Sequence, residues 1–199
     1  MLYYFLRSFA VFLCKVLFRI QVEGKGNIPK KGGFILASNH LSYLDPIILG
    51  VACPRKLTFM AKEELFSIPV FSSLIRRLGA FPIKRYRADI SAFKEAFKMV
   101  KRGLPLVIFP EGRRSPTGDL LNPLKGVGFL VDYLRVPVVP ALIRGTDKVL
   151  PVNKKFIHPK KIWVYFGEPI FIERRKPSDY LQIAQQVMDE IRRLGCNYQ

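Results

Sequence analysis

Residues 33–52 read GFILASNHLSYLDPIILGVA, in which an apolar run, a polar turn and a second apolar run follow one another. The first run predicts a strand at 33–38, and the second predicts a short helix at 46–52. The turn between them contains His40 and Asp45, although the chain has only two histidines. On one continuous helix their side chains would point roughly 140° apart. They can meet if His40 lies in the turn and Asp45 near the helix start, where its second oxygen could cap the helix.

Further apolar runs alternate with helical patterns along the rest of the chain. Helices are predicted at 68–79, 90–103, 123–135 and 177–194, and strands or extended segments at 56–61, 80–85, 104–112, 136–143 and 161–170. Strands that alternate with helices predict a single α/β domain with a largely parallel sheet flanked by helices. In such sheets, ligands bind beyond the carboxyl ends of the strands.

The first 22 residues predict an amphipathic helix that precedes a domain at 23–199. Its apolar stretches are interrupted at Arg7, Lys15 and Arg19, so there is no run of about 18 apolar residues that could span a bilayer. Helical geometry gathers these three cations on one arc of an otherwise apolar surface, which favours a helix lying in the membrane interface. The alternative is an ordinary amphipathic helix that packs on the domain with its cations in water.

The charge of the chain indicates a polyanionic partner. Its 199 residues include 33 Lys and Arg against 15 Asp and Glu, a net charge of +18. Nucleic acid and an anionic membrane both fit this balance, and the first helix favours the membrane. Cys14, Cys53 and Cys196 form no CxxC motif, which argues against a disulfide framework or a zinc site and favours a reducing compartment. We expect all three to be small buried side chains.

Two further polar segments follow predicted strands, PIKRYR at 82–87 and FPEGRRS at 109–115. We expect them to converge with the His40 turn at one edge of the sheet. Their arginines have the geometry that phosphate oxygens accept. His158 lies in a basic loop beside proline and is expected to be solvated, so His40 is the candidate base. The chain contains no GxSxG, P-loop, GxGxxG or HExxH motif, which removes the usual support for several other enzyme classes.

These features together predict a class of reaction. A histidine base without a neighbouring serine or cysteine nucleophile suggests direct activation of a substrate hydroxyl. The arginines suggest that this hydroxyl belongs to a phosphorylated alcohol, and the membrane-lying helix suggests that the alcohol or its product is a lipid. The prediction is acyl transfer onto a phospholipid precursor.

Four segments resemble the sequence boxes of the glycerolipid acyltransferases. NHLSYLD at 39–45 resembles their NHxSxxD box, and GAFPIKR (79–85), FPEGRRS (109–115) and VPVVPALI (136–143) resemble the second, third and fourth boxes. Four boxes in order are far more specific than any one of them. The resemblance implies transfer of a fatty acyl group from an acyl-CoA or acyl carrier protein thioester to the sn-2 hydroxyl of 1-acyl-glycerol 3-phosphate, giving phosphatidic acid, with no metal or other cofactor.

The resemblance also implies roles for particular residues. His40 would be the general base and Asp45 the partner that orients it. Arg85 and Arg114 would bind the phosphate of the acceptor. Arg113 departs from the threonine that is usual in the family, and both a phosphate contact and a solvent-facing position stay open for it.

Three more residues complete the predicted substrate site. Glu111 and Gly112 would shape the acceptor pocket. Lys125 resembles a basic position that follows the third box, at a greater distance along the chain.

The expected partners are a membrane phospholipid surface, lysophosphatidic acid and the thioester donor, and nucleic acid is not expected. The expected location is the cytoplasmic face of a membrane, with peripheral attachment. Two alternatives stay open. A related acyltransferase could act on glycerol 3-phosphate or another lysophospholipid, whereas a basic module that binds membranes or nucleic acid would not depend on His40.

Overall fold

The computed structural model describes residues 2–84, 89–154, 156–173 and 176–197. Helices and strands alternate along these ranges. The α-helices are α1 (Leu2–Phe18), α2 (Asp45–Ala52), α3 (Pro69–Arg77), α4 (Ile90–Lys101), α5 (Lys125–Leu134), α6 (Thr146–Val149) and α7 (Tyr180–Asn197). Short 3-10 helices lie at Lys25–Asn27, Glu63–Phe66 and Pro177–Asp179.

The strands of the described ranges form one seven-stranded sheet. They are β1 (Gln21–Glu23), β2 (Ile35–Ser38), β3 (Thr58–Lys62), β4 (Ala80–Ile83), β5 (Leu106–Ile108), β6 (Val138–Arg144) and β7 (Trp163–Phe166). Their order across the sheet is β1-β7-β6-β2-β5-β3-β4. All neighbours are parallel except β6 and β7. The predicted α/β domain with a largely parallel sheet is confirmed.

Helices cover both faces of the sheet. One hydrophobic core contains side chains of α1 and α2, and the other contains side chains of α4, α5 and α7. Successive residues of β2 show the division, because Leu36 belongs to the first core and its neighbours Ile35 and Ala37 to the second. Strands buried on both faces are apolar at every position rather than at alternate ones, which explains why β2 reads as a continuous apolar run.

The centre of the sheet brings two of the sequence motifs together. β2 lies beside β5, with Ile35 paired with Leu106 and Ala37 with Ile108. Both strands point the same way, so the turns that follow them emerge at the same carboxyl edge. The boxes at 39–45 and 109–115, called the first and third motifs below, are therefore neighbours in space.

Helix α1 is packed on the domain through one part of its surface and exposed along another. Cys14 and Phe18 are buried in the core that also contains α2. Phe9, Phe12 and Val16 form an outward row and are 55%, 62% and 60% exposed. Within the described ranges, no helix has the length and apolar character needed to cross a membrane.

The prediction that Arg7, Lys15 and Arg19 form one basic arc on the surface of the first helix is wrong for Arg7. Its guanidinium lies at the C-terminus of α2, where Nε donates to the Gly50 carbonyl at 3.2 Å and Nη2 to the Cys53 carbonyl at 2.8 Å. The last carbonyls of a helix lack intrahelical donors and therefore attract a cation. Lys15 and Arg19 are exposed, so two of the three predicted cations remain outside the packed surface.

Several elements differ from the predicted ones, and β7 and β1 are two of them. The extended segment expected at 161–170 forms a regular strand only at β7; beyond it Gly167 still donates its N–H to the Pro140 carbonyl at 2.8 Å, and Ile170 forms an isolated bridge with Val138. β1 was not predicted, because its partner β7 lies far along the chain and its three residues carry no local pattern. The predicted boundary between residues 22 and 23 falls inside β1.

The cysteines and His158 are placed largely as predicted. Cys14 and Cys53 are buried, and burial raises the pKa of both thiols. Cys196 is exposed, so the prediction of a buried side chain is wrong there. His158 is exposed, as its basic loop indicated.

Helices α5 and α7 lie in close contact at Gly128. A Cβ atom at this position would lie 1.8 Å from the Tyr180 carbonyl oxygen, so Gly128→Ala must push the helices apart. We expect this variant to lose about 1–3 kcal/mol of unfolding free energy, measured as a lower Tm. Gly126→Ala is the control in the same helix, because no described atom lies within 4 Å of its Cβ, and its Tm should be unchanged or higher. Equal Tm values for the two variants would contradict this packing.

Candidate active site

The first motif forms a turn between β2 and α2. β2 ends at Ser38 and α2 begins at Asp45, and the chain between them turns far enough for His40 and Asp45 to meet. His40 Nδ1 lies 2.7 Å from Asp45 Oδ2. The Asp45 side chain is fully buried, whereas 12% of the His40 side chain is exposed. The structure thus brings the two predicted residues together, with the imidazole nearer to solvent.

A single oxygen of Asp45 organises this turn. In addition to its imidazole contact, Oδ2 accepts the backbone N–H groups of Leu41 at 2.6 Å and Ser42 at 2.7 Å. Asp45 Oδ1 is buried and has no hydrogen-bond partner among the described residues, and no side chain caps α2. The prediction that Asp45 caps α2 with its second oxygen is wrong, because the carboxylate accepts N–H groups of the turn rather than those of the helix.

The contact with Asp45 selects one tautomer of the neutral His40 ring. An ionised carboxylate can only accept a hydrogen bond, so in the neutral ring Nδ1 carries the proton and Nε2 the lone pair. The ring also stacks on Phe109, with 4.0 Å between the ring centroids and 18° between the planes. Together, the carboxylate and the aromatic ring hold the imidazole in the tautomer and orientation that a general base requires.

Glu111 joins the first and third motifs through its two oxygens. Oε1 accepts the backbone N–H of His40 and Oε2 that of Leu121, each at 3.0 Å. The His40 carbonyl in turn accepts the N–H of Ser115 at 2.8 Å. Burial raises the pKa of the Glu111 carboxyl, although the two N–H groups oppose the rise. In this structure Glu111 fixes the backbone at His40, and its contact with an acceptor stays a prediction.

Gly112 allows the third motif to turn tightly. Its φ is +67°, and a Cβ atom would lie 2.2 Å from Leu124 Cδ1, so both the backbone conformation and the close side chain favour glycine. Leu124 also donates its N–H to the Pro110 carbonyl at 2.9 Å. Lys125, the first residue of α5, therefore stands beside the third motif and is exposed. The roles of Gly112 and Lys125 towards a substrate stay predictions.

Arg114 lies against an aromatic residue of the first motif. Its guanidinium carbon is 3.4 Å from the centroid of the Tyr43 ring, a cation–π arrangement. Arg114 Nη1 is buried and donates no hydrogen bond to any described residue. This nitrogen therefore keeps an unused donor, and guanidinium donors suit anionic groups. Arg113 is exposed, which corresponds to the solvent-facing alternative for that residue.

Arg85, the predicted second phosphate ligand, lies outside the described residues. Lys84 follows β4 and donates its N–H to Asp89 Oδ2 at 2.8 Å. Asp89 Oδ1 accepts the Ser91 hydroxyl and the Ala92 N–H at the start of α4. The Ser91 hydrogen bond, followed by those from Lys84 and Ala92, lowers the pKa of Asp89 to about 2. The described residues on both sides of Arg85 are thus held together beyond the end of β4.

Two polar residues of the first motif have roles that sequence reasoning missed. The Asn39 amide donates to the Ile143 carbonyl at 2.9 Å and accepts the Ile143 N–H at 2.8 Å, so it ties the end of β2 to β6. The Ser42 hydroxyl donates to the Leu150 carbonyl at 2.8 Å. Buried polar groups need such partners, and the signal in the sequence was polar residues between two apolar runs. Their partners could not be predicted, because they lie more than a hundred residues further along the chain.

Two aromatic contacts were also missed. Phe109 stacks on His40, and Tyr43 lies under Arg114. Both residues belong to the motifs themselves, so the signal was an aromatic residue next to each functional one. Across the described ranges, no group of three His, Cys, Asp or Glu side chains could hold a metal ion.

The fold and the site together define a class of enzyme. An α/β sheet bears a His–Asp pair at its carboxyl edge, beside an arginine whose Nη1 has no hydrogen-bond partner among the described residues, and the sequence profile of the Acyltransferase family matches residues 19–144. This match covers more than half of the 199 residues. The chain belongs to the Acyltransferase family and is an acyltransferase.

Individual relatives and one solved structure show which acyltransferases the chain resembles. The chain is 31% identical over 152 residues to the 1-acyl-sn-glycerol-3-phosphate acyltransferase of Bacillus subtilis, covering 76% of this chain and 73% of that protein. It is 29% identical over 170 residues to the human 1-acyl-sn-glycerol-3-phosphate acyltransferase beta, covering 84% of this chain and 60% of that protein. The crystal structure of the 1-acyl-sn-glycerophosphate acyltransferase of Thermotoga maritima superimposes with a TM-score of 0.81 at 29% identity, covering 99% of this chain and 81% of that chain.

Proposed function

We propose that this acyltransferase transfers a fatty acyl group from a thioester to the sn-2 hydroxyl of 1-acyl-glycerol 3-phosphate, giving phosphatidic acid. The observation that carries the proposal is the 2.7 Å contact between His40 Nδ1 and Asp45 Oδ2, on an edge of the sheet that also presents Arg114. The names of the relatives support the same reaction.

The proposed chemistry is a direct transfer without an acyl-enzyme intermediate. His40 Nε2 takes the proton of the acceptor hydroxyl while the hydroxyl oxygen attacks the thioester carbonyl carbon. A carbon–oxygen bond forms, the carbon–sulfur bond breaks, and the proton passes from the imidazolium to the leaving thiolate. Asp45 stabilises the imidazolium that exists between these steps and keeps Nε2 directed at the acceptor.

Cations near this base would recognise the phosphate of the acceptor. Arg114 offers a buried Nη1 that donates to none of the described residues, and guanidinium groups bind phosphate oxygens strongly. Arg85 and Lys125 are proposed as further phosphate contacts on the basis of the family resemblance. Glu111 and Gly112 would shape the same pocket by fixing the third motif.

Tyr43 is proposed to position the Arg114 guanidinium through the ring contact. Tyr43→Ala removes the ring, and we expect the KM for the acceptor to rise about 2- to 5-fold with little change in kcat, because a cation–π contact at an exposed ring contributes about 0.5–1 kcal/mol. Tyr43→Phe keeps the ring and should stay within about twofold of wild type. Steady-state kinetics with varied acceptor measure both. Equal KM values for the two variants would show that the ring does not position Arg114.

The donor and the membrane belong to the same proposal. An acyl-CoA or an acyl carrier protein thioester serves as co-substrate, and the residues of the His–Asp pair need no metal for this chemistry. The exposed row of Phe9, Phe12 and Val16 on α1, with Lys15 and Arg19 outside the packed surface, supports peripheral attachment to an anionic membrane. We place the enzyme on the cytoplasmic face of that membrane.

A comparison of acceptors tests the proposal. Purified protein is incubated with an acyl thioester and, separately, with 1-acyl-glycerol 3-phosphate, glycerol 3-phosphate, lysophosphatidylcholine or monoacylglycerol, and thiol release is followed. We expect 1-acyl-glycerol 3-phosphate to be the best acceptor and monoacylglycerol, which lacks the phosphate, to be poor. Preference for glycerol 3-phosphate or another lysophospholipid would assign a related reaction instead. Thiol release with none of the acceptors would contradict the proposed function.

A further inference from the structure

Helix α3 has no buried residue. It runs from Pro69 to Arg77, and every one of its nine residues is exposed or half-buried. Val70, Phe71 and Leu74 are 84%, 40% and 41% exposed. Short helices gain most of their stability from packing an apolar face, yet the domain leaves Val70 almost uncovered and Phe71 and Leu74 only partly covered.

The exposed apolar residues of α3 form one continuous surface. Positions 70, 71 and 74 fall within an arc of roughly 100° on a helix of 3.6 residues per turn. Ile68, just before the helix, is 55% exposed and extends this surface by one residue. Contiguous exposed apolar groups of this kind mark a contact with a partner or a membrane.

The charges on α3 suit an anionic partner. The helix contains two basic residues, Arg76 and Arg77, and no acidic residue. Arg76 stays near the helix because its guanidinium lies 4.7 Å from the Phe66 ring centroid and donates to the Ser72 hydroxyl, whereas Arg77 has no contact among the described residues that would hold it. Arginines that border an apolar surface are typical of elements in the interface of an anionic bilayer.

Acidic groups lie close to α3 but not on it. Glu63 and Glu64 belong to the 3-10 helix that precedes α3, and the Glu63 carboxylate lies 3.9 Å from Lys84 Nζ. With 33 Lys and Arg against 15 Asp and Glu in the whole chain, the net charge still favours an anionic surface.

The topology places α3 on the same side of the sheet as α1. Crossovers between parallel strands are right-handed. α2 joins β2 to β3 and α3 joins β3 to β4, and both connections run toward the β4 edge of the sheet, so both helices lie on the same face. α4 crosses in the opposite direction and lies on the other face. α1 packs against α2 and ends beside β7, where Phe18 accepts the N–H of Ile162, whereas α3 contacts β4 at the other edge. The exposed apolar residues of α1 and α3 therefore stand on either side of α2, whose first residue is Asp45.

We propose that α3 is a second membrane-contact element, in which Val70, Phe71 and Leu74 enter the interface of an anionic bilayer and Arg77 contacts lipid headgroups. Two contacts on either side of α2 fix the orientation of the domain, which a single helix could not do. The effect on turnover rests on the proposed function, because only a lipid acceptor requires this orientation. The effect on membrane binding does not rest on it.

The test compares two double variants of the full chain that add the same charge. Val70→Glu with Leu74→Glu changes α3. Phe171→Glu with Leu181→Glu changes two residues that are 77% and 53% exposed and belong to neither α1 nor α3; Leu181 lies on α7, which packs on the other face of the sheet. Both double variants are sedimented with vesicles of equal parts phosphatidylglycerol and phosphatidylcholine, and the bound fraction is measured. We expect the α3 variant to lose at least about tenfold in its partition coefficient, because two aliphatic side chains no longer enter the lipid. The control should stay within about twofold of wild type.

Three further measurements distinguish the possible outcomes. Tm and sedimentation velocity report folding and oligomeric state, and activity is compared on a short-chain, water-soluble lysophosphatidate and on the long-chain acceptor in vesicles. The α3 variant should be impaired only on vesicles. Unchanged partitioning of the α3 variant would overturn the proposal. If the variant also changed from dimer to monomer, α3 would be assigned to contact with a second copy of the chain. A wild type that binds vesicles through α3 but acylates neither acceptor would contradict the proposed function and leave α3 as a membrane contact.

Discussion

Replacing His40 by alanine should lower kcat by about 10²–10⁴-fold, the usual contribution of a positioned general base. In the proposed mechanism the imidazole takes the hydroxyl proton, and water cannot replace it with the same orientation. The KM for the acceptor should change little, because the proposed phosphate contacts are made by other residues. Initial rates of thiol release with 1-acyl-glycerol 3-phosphate measure both parameters.

The loss of kcat in His40→Ala should occur without unfolding of the protein. The backbone N–H of residue 40 would still donate to Glu111, and the carbonyl would still accept from Ser115, so the turn keeps its main-chain contacts. A Tm within a few degrees of wild type is the control for matched folding. A variant that keeps more than about a tenth of the wild-type kcat would show that His40 is not the base.

Replacing Asp45 should separate catalysis from stability. Asp45→Asn keeps an oxygen that can accept the N–H groups of Leu41 and Ser42, but the neutral amide no longer stabilises an imidazolium at 2.7 Å. We expect kcat to fall about 10²–10⁴-fold. Asp45→Ala should show the same loss and in addition unfold more easily, since two buried N–H groups lose their acceptor at about 1–3 kcal/mol each.

Chemical denaturation beside kinetics distinguishes these effects. The predicted order of unfolding free energy is wild type, then Asn, then Ala, whereas both variants should have similarly low kcat. Wild-type kcat in Asp45→Asn would show that the negative charge is not required. Equal stability of the Asn and Ala variants would show that Oδ2 does not support the turn.

Local patterns were sufficient for the centre of the fold. β2 and β6 are apolar at nearly every position because helices cover both faces of the sheet, and such runs are recognisable without their partners. The helix at 90–101 was recognisable from the spacing of its apolar residues. β1 was not, because three residues that pair with β7 carry too little pattern of their own.

Tertiary contacts explain where the sequence was misleading. Helical periodicity places Arg7 beside Lys15, but the free carbonyls at the end of α2 draw Arg7 to the domain. The pairing of His40 with Asp45 was predictable from the motif. That the same oxygen of Asp45 also accepts the N–H groups of Leu41 and Ser42 was not, because it depends on the backbone geometry of the turn. The contact between Tyr43 and Arg114 joins two motifs, and only the adjacency of β2 and β5 brings them together.

The most direct test of the account is the identity of the lipid formed by the purified protein. A thioester with an isotopically labelled acyl chain is incubated with 1-acyl-glycerol 3-phosphate, and the product is analysed by mass spectrometry before and after phospholipase A2, which releases the sn-2 chain. The account predicts labelled phosphatidic acid that loses its label to phospholipase A2, with wild type but not with His40→Ala. Thioester consumption without labelled phosphatidic acid, or equal formation by His40→Ala, would contradict it.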